Sequence, residues 1–553
     1  MESQRSFLII ALMAVTFFLW QAWQTDHAPK PSAPVATSAD AAQAGVSDVP
    51  VASTTPAAGS NELPAQGAAP ASTQLISVKT DVLDVLIDPR GGDIVSAKLL
   101  AYPETLKDKT QPFTMLRNDE GRVYFAQSGL VGQGPDAQAE RPLYSSAQST
   151  YVLTNGQNEL GVELTYTDAK GVSYVKRFGF TRAGYTIDVG YTIKNLTAEP
   201  LAVRMFAQLK RDRVEAAKPE GFGMGIATYL GGAYSSSNER FKKESFKDMD
   251  SKALAETTAG GWVAMLQHYF VSAWVPAQDT QNELYSKNPG GLAIMGVLMP
   301  TVNVAPGVTA QTGAKLYVGP KIQKELAAVA PHLDLVVDYG FLWWIGQPLF
   351  WLLTHLHQLV SNWGLAIILL TVLVRGSMYK LTAIQYRSAA RMRKLQPKLT
   401  ALKERYGDDR QKFGQEMMAL YQKEKVNPLG GCLPLLVQLP VFMSLYWVLL
   451  ESVELRHAPF MLWVQDLSAK DPYFVLPILY GLSMFIVTKM SPTPPNMDPM
   501  QAKMLQWMPV MMTGLFLFFP SGLCLYWLVS NIITIAQQRF ITRQFEKQDA
   551  AKA

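Results

Sequence analysis

NWGLAIILLTVLVRGSMYKLTAIQYRSAARMRKLQPKLTALKERYGDDRQKFGQEMMALYQKEKVNPLGGCLPLLVQLPVFMSLYW, residues 362–447, decides how this chain is read. Two apolar segments flank a basic loop, and Arg375 sits inside the end of the first. Between Arg375 and Lys425 stand 13 Lys and Arg against 5 Asp and Glu, although the whole chain carries only +5. A charge at membrane depth is costly and points to function. Arg375 follows Trp363 by 12 residues, roughly 18 Å along a helix, and Lys380 marks the inner interface better. That places Arg375 one to two turns inside the inner leaflet. It either snorkels to the headgroups or faces a polar cavity.

Outward from this stretch, further apolar segments recur at 473–488, 504–519 and 521–537, joining those at 363–381 and 428–450 as five candidate spans. Several hold only about 16 apolar residues, short of the roughly 20 needed for a full crossing; a locally thinned bilayer would accommodate them. No Asp or Glu lies in any of the five, and none lies between Asp338 and Glu404. Arg375 therefore has no acid to pair with in the spans, and must find water or a passing anion. Thr371, Gln438, Ser444, Ser530, Asn531 and Gln537 could line a wet groove around it. The chain's 23 methionines are concentrated here too, with 8 between Met484 and Met512. Flexible thioethers suit either span packing or promiscuous apolar binding.

The loop 382–427 reads as two helices. Leu395, Leu399, Leu402 and Tyr406 recur at helical spacing, Gly407-Asp408-Asp409 supplies a stop and a new N-cap, and Phe413, Met417, Leu420 and Tyr421 continue beyond. This hairpin is either a solvated face near anionic lipid or a docking surface. Its charge, the modestly basic stretch after Lys489 and the basic tail contrast with 451–472, which is acidic on balance. The positive-inside rule puts the first three in the cytoplasm, which leaves the region before the first span outside and, with one further crossing ahead of it, the N-terminus cytoplasmic.

Residues 1–24 supply the sixth crossing. MESQR precedes SFLIIALMAVTFFLWQAW, which ends in bulky Trp20 and Trp23 without a small-residue cleavage site, so it reads as an uncleaved signal anchor rather than a removed signal peptide. Residues 25–74 are rich in Ala, Pro, Ser and Thr and read as a flexible linker. From 75 to 325 the period changes to two. LISVKTDVLDVLIDPRGGDIVSAKL, YVLTNGQNELGVELTYTD, VSYVKRFGFTRAGYTIDVGYTIKNL and LAVRMFAQLKRD alternate apolar with polar residues between turn signals, the pattern of a large all-β sandwich. His268, among aromatics, fits a core or interface position. Residues 326–362 carry Trp343, Trp344, Trp351, Pro348, His355 and His357 and read as an interfacial amphipathic helix region. The His-x-His pair lacks a nearby acid or cysteine and suits wet interface better than metal.

Several enzyme classes are disfavoured. There is no phosphate-binding G-x-x-x-x-G-K-[ST] loop, no H-E-x-x-H, no intramembrane aspartate pair and no histidine in the spans. Proton-coupled transport usually needs a membrane carboxylate. Cys432 and Cys524, the two cysteines, offer no metal spacing. No catalytic residue, cofactor or metal is expected. Net charge gives no footprint for sequence-specific nucleic-acid binding.

The motifs WVAMLQHYFVSAW, KLYVGPK, DYGFLWWIGQPLFWLL, NWGLAIILLTVLVRGSMYKLT, ARMRKLQPK, NPLGGCLPLLVQLPVF and FPSGLCLYWLVSNIITIAQQ, in this order, resemble the YidC-type membrane protein insertases of Gram-negative bacteria. The resemblance covers nearly the whole length. It implies a multi-pass inner-membrane protein with a periplasmic β-supersandwich at 75–325. It also implies a five-helix transmembrane core at 363–540 holding the cytoplasmic hairpin, and a cytoplasmic tail at 541–553. It implies an insertase and chaperone, not an enzyme, acting on nascent membrane proteins in the lipid bilayer, alone or beside the Sec translocon, with the ribosome as a further partner. The matching groove residues are Arg375 and Thr371; Gln438, Phe442, Pro434, Met484, Tyr526 and Trp527 are assigned to the same groove. The resemblance implies two tyrosines where this chain has Tyr526-Trp527, so the second hydroxyl is absent here. A solute channel, or an envelope-binding protein whose β domain does the work, are the competing readings. A continuous pore would favour the first, and loss of growth support on deleting 80–320 the second.

Overall fold

The computed structural model describes residues 74–119, 121–138, 140–213, 229–406, 409–424, 433–490 and 499–550. The anchor expected at 1–24 and nearly all of the linker expected at 25–74 lie outside them, as does Cys432.

Alternating residues of the first half build two packed sheets, one of ten strands and one of nine among the described residues. The strand Thr186–Lys194 shows the mechanism: Ile187, Val189, Tyr191 and Ile193 are buried while Asp188 and Lys194 are exposed. Period-two patterning thus sends one face to the core. In the ten-stranded sheet, Leu201–Asp212 runs antiparallel between Arg122–Gly132 and Leu292–Val304, with a register shift between Arg204 and Phe206. In the nine-stranded sheet, Thr186–Lys194 lies antiparallel between Ser173–Thr181 and Thr309–Pro320. Trp274, Tyr174, Tyr191, Phe178 and Phe180 fill the space between the sheets, while Trp262 and Tyr317 are buried on the other face of the nine-stranded sheet, where Trp262 Nε1 donates to Pro331 O at 3.0 Å.

One lysine breaks the apolar rule. Lys176 is fully buried, and its Nζ donates to Gly91 O at 2.9 Å, Gly92 O at 2.8 Å and Ser128 O at 3.1 Å. The carbonyls at Gly91 and Gly92 come from the turn Asp88–Gly92, where both glycines have positive φ (73° and 66°) that side-chain-bearing residues rarely adopt. Burial pushes the Lys176 ammonium down to about 7, against the pull of nearby Asp93.

The second half is helical. α1 (Trp343–Val360) contains Pro348 and buries Phe350, Leu353 and Leu356 while exposing Trp343, Trp344 and Trp351. α2 (Trp363–Ser377) is capped by Asn362, whose Oδ1 accepts from Leu365 N at 3.0 Å. It ends four residues short of the span expected at 363–381, at Gly376-Ser377, both poor helix formers. The chain then turns by 64° into α3 (Tyr379–Tyr406). α4 (Arg410–Lys423) begins at an Asp409 cap that accepts from Gln411 N and Lys412 N. Leu395, Leu399 and Tyr421 form a small core between α3 and α4.

α5 (Leu433–Glu451), α6 (Val475–Met490), α7 (Pro499–Phe516) and α8 (Ser521–Ala550) complete the chain. Asp471 caps the start of α6 by accepting from Leu476 N at 2.7 Å. α8 continues through most of the segment expected as a tail at 541–553. RFITRQFEKQDA holds no breaker, and Phe545 lies beneath Arg391 and Lys394 of α3, 5.9 and 5.6 Å from its ring centre. Among the described residues no single helix is long and apolar enough to cross a membrane; α2 and α3 together pass as one bent pair.

The halves meet through specific contacts. His268 donates from Nε2 to Leu450 O at the end of α5 (2.9 Å) and stacks on Tyr269. It is an interface residue, held neutral by burial, which lowers its imidazole to about 4. Lys321 and Glu451 form a buried ion pair at 3.5 Å, and Arg456 donates to Pro103 O and Glu104 O at 2.8 and 3.1 Å.

Lys176 sets a pH dependence. Its proton is held less tightly in the folded chain than in the unfolded one, so stability rises as pH climbs from about 7 toward the ordinary lysine range, and falls as pH returns through 7. Thermal melts of the detergent-solubilised protein between pH 7 and 10 should show this rise. Lys176→Met should remove it, while costing about 1–3 kcal/mol because three carbonyls lose their donor.

Candidate functional site

Arg375 lies in the last turn of α2, half-buried against α8. Its Nε donates to Ser530 Oγ at 2.8 Å, and Nη2 donates to the same oxygen. Among the described residues no carboxylate pairs with it. Gln537, two turns further along α8, donates from Nε2 to the Arg375 carbonyl at 3.5 Å. The partner expected to be water or a passing anion is, in this structure, a buried neutral hydroxyl.

The other assigned residues divide into two layers. Tyr526, one turn before Ser530, is buried, and its hydroxyl accepts from Gln438 Nε2 of α5 at 3.4 Å. This brings Gln438, Tyr526, Ser530 and Arg375 together as a polar seam joining α2, α5 and α8. Behind it is an aromatic layer. Phe442 meets Trp527 edge-on with centroids 4.6 Å apart, and Tyr480 and Phe516 meet the same indole at 5.9 Å. Trp527 Nε1 is buried without a hydrogen-bond partner. The indole supplies a ring and a donor here, where a phenol would have offered an acceptor as well.

Thr371 is fully buried, and its hydroxyl donates to Ile367 O of its own helix at 2.6 Å. It sits one turn before Arg375 and spends its proton on the backbone. Met484 Sδ accepts from Tyr480 OH at 3.2 Å and packs with the core. Pro434 belongs to α5, but its side chain lies outside the described residues.

Two polar residues expected at the groove are used elsewhere. Ser444 donates to Leu342 O near the start of α1, at 3.4 Å. Asn531 donates from Nδ2 to Ser483 Oγ at 2.9 Å, tying α8 to α6. Helical phase decides this: Asn531 follows Ser530 by one residue, about 100° around the helix, and so faces another neighbour. Sequence reasoning did not single out Tyr386. It is buried on α3 with Ala383 and Ile541, beside the turn that follows Arg375; its position depends on the 64° bend, which leaves little local signature beyond Gly376-Ser377.

The described parts make a class of molecule: a large β-sandwich packed on a helical bundle that holds an arginine with no acidic partner. Two family models match. Residues 75–352 match the YidC periplasmic domain and 355–548 the 60Kd inner membrane protein family. A membrane protein insertase YidC of Shewanella frigidimarina is 52% identical over 551 residues, 99% of each chain. Another, of Aeromonas hydrophila, is 53% identical over 557 residues, again 99% of each. The chain belongs to the family of YidC membrane protein insertases.

The packing of α6 on α7 supports the rear of the bundle. A Cβ on Gly481 would run into Thr513 Oγ1, which is pinned by its own bond to Pro509 O at 2.7 Å. Gly481→Leu should therefore lower stability by about 1–3 kcal/mol, read as a lower melting temperature in detergent. Gly514→Ala, where a Cβ meets nothing within 4 Å, should leave it unchanged.

Proposed function

We propose that this chain inserts membrane proteins through the polar seam at Arg375, holding acidic segments of an incoming chain and then releasing them. The observation that carries this is the arginine's neutral setting: among the described residues its guanidinium has a serine and no carboxylate. A fixed carboxylate would neutralise the charge permanently. A hydroxyl satisfies donors while leaving the charge available to a transient anion. No covalent step is required.

In this reading α2, α5, α6, α7 and α8 are the five spans, with 1–24 as a sixth, N-terminal crossing. The loop charges put the α3–α4 hairpin and both termini in the cytoplasm and the β domain in the periplasm. The basic hairpin is then where a ribosome or anionic lipid would meet the protein, and the Sec translocon would be a lateral partner. The exposed aromatics of α1, Trp343, Trp344 and Trp351, suit the outer interface. Relatives named membrane protein insertase over the full length support the activity.

Arg375→Ala should slow insertion of substrates whose translocated segment is acidic by about tenfold, while Arg375→Lys should largely retain it. Weakly charged substrates should tolerate the alanine. Protease protection of newly made substrates in cells depleted of the wild-type protein measures this. Wild-type rates for acidic substrates in the alanine variant would remove the charge from the mechanism.

A further inference from the structure

An arginine close to the end of an apolar helix has an easy alternative to staying inside. Its aliphatic stem can extend along the helix surface and carry the guanidinium to water. Among the described residues the end of α2 is open: Gly376 follows directly, a Cβ there would meet nothing within 4 Å, and α2 stops one residue later. Yet the guanidinium is folded inward against α8. Two of its N–H groups, from Nε and Nη2, converge on one oxygen, Ser530 Oγ, 155 residues further along the chain. Ser530 itself is 1% exposed.

We infer that Ser530 is a positioning residue: it holds the Arg375 guanidinium inside the bundle and presents the Nη1–Nη2 edge to an acidic side chain of the substrate. Geometry assigns the edges. A guanidinium has two edges that can take a carboxylate with parallel N–H bonds, Nε–Nη2 and Nη1–Nη2. Ser530 occupies the first. The second is left for a substrate Asp or Glu, approaching end-on rather than from the side. A hydroxyl suits the role because it orients the cation without cancelling its charge. Asp at the same place would form a permanent pair and compete with the substrate.

The inference rests on the proposed function above, and its test separates the two. The full-length protein is assayed as wild type, Ser530→Ala, Ser530→Thr and Arg375→Ala. Each is given a single-span substrate with an acidic translocated tail, and the same substrate with its acids changed to amides. Ser530→Ala is expected to slow the acidic substrate by about tenfold, the size of effect of losing a charged hydrogen bond, and to leave the amide substrate unchanged. Ser530→Thr, which keeps the hydroxyl, is expected to restore insertion. A second measurement reads the side chain's position without any substrate: phenylglyoxal modification of Arg375 in membranes, followed by mass spectrometry of its peptide, should be several-fold faster in Ser530→Ala. Equal slowing of both substrates would mean that Ser530 serves only packing, and overturns the inference. So does an unchanged modification rate. If Arg375→Ala slows the acidic substrate and Ser530→Ala does not, the positioning role falls and the charge mechanism stands. If neither slows it, both fall.

Discussion

The helical half depends on one constraint: a cation inside an apolar bundle has to be satisfied without an anion. Arg375 meets it through Ser530. That contact fixes α2 against α8, and Gln537 bonding to the Arg375 carbonyl reinforces the pairing one layer further along. Burying an unpaired guanidinium in hydrocarbon is expensive. Keeping it beside a hydroxyl, near the end of a short helix, reduces that expense while leaving the charge unneutralised. A fixed carboxylate would have given a more stable bundle and a weaker attraction for anions.

The β domain solves the same problem in the opposite way. Lys176 is surrounded by three carbonyls, two from the turn at Gly91-Gly92 and one from the strand Arg122–Gly132, and lies near Asp93, and its proton is held loosely. That is a structural ammonium, closed to solvent and to ligand. The junction between the halves uses a third solution, a buried ion pair between Lys321 and Glu451 beside the neutral His268. Removing either ionic partner there would strand the other, which makes the pair a strong determinant of how the halves fit. Of Lys176, Lys321 and Arg375, the last alone combines partial exposure with a neutral side-chain partner, and this distinguishes a candidate site from scaffold.

Much of this was legible in the chain. Strict alternation in Thr186–Lys194 and its neighbours announced strands, because a sheet with one buried face leaves no other pattern. Asp88-Pro89-Arg90-Gly91-Gly92 announced a turn by its residue types, and the structure puts both glycines at positive φ. Asp409 announced a helix start through its capping oxygen. The missing acids around Arg375 could be counted directly. Less legible were the uses of Ser444, Asn531 and Thr371. All three read as polar residues on spans, and each is consumed by a local or lateral hydrogen bond. Which way a hydroxyl or amide points depends on helix rotation and on a neighbour far away in sequence.

The sequence by itself determined where the elements lie, which face of each strand is apolar, that a lone arginine stands at the end of a short apolar helix, and to which family the motifs belong. These are local or compositional properties, set by periodicity, capping and the cost of charge in hydrocarbon. Only the tertiary structure decided what the arginine touches. Ser530 is 155 residues from Arg375, and nothing in either segment specifies the pairing. It follows from the packing of α2 on α8 and from the 64° bend that ends α2 just past the charge. The same packing turns Asn531 away toward Ser483, so that of two adjacent polar residues one holds the cation and the other holds the bundle.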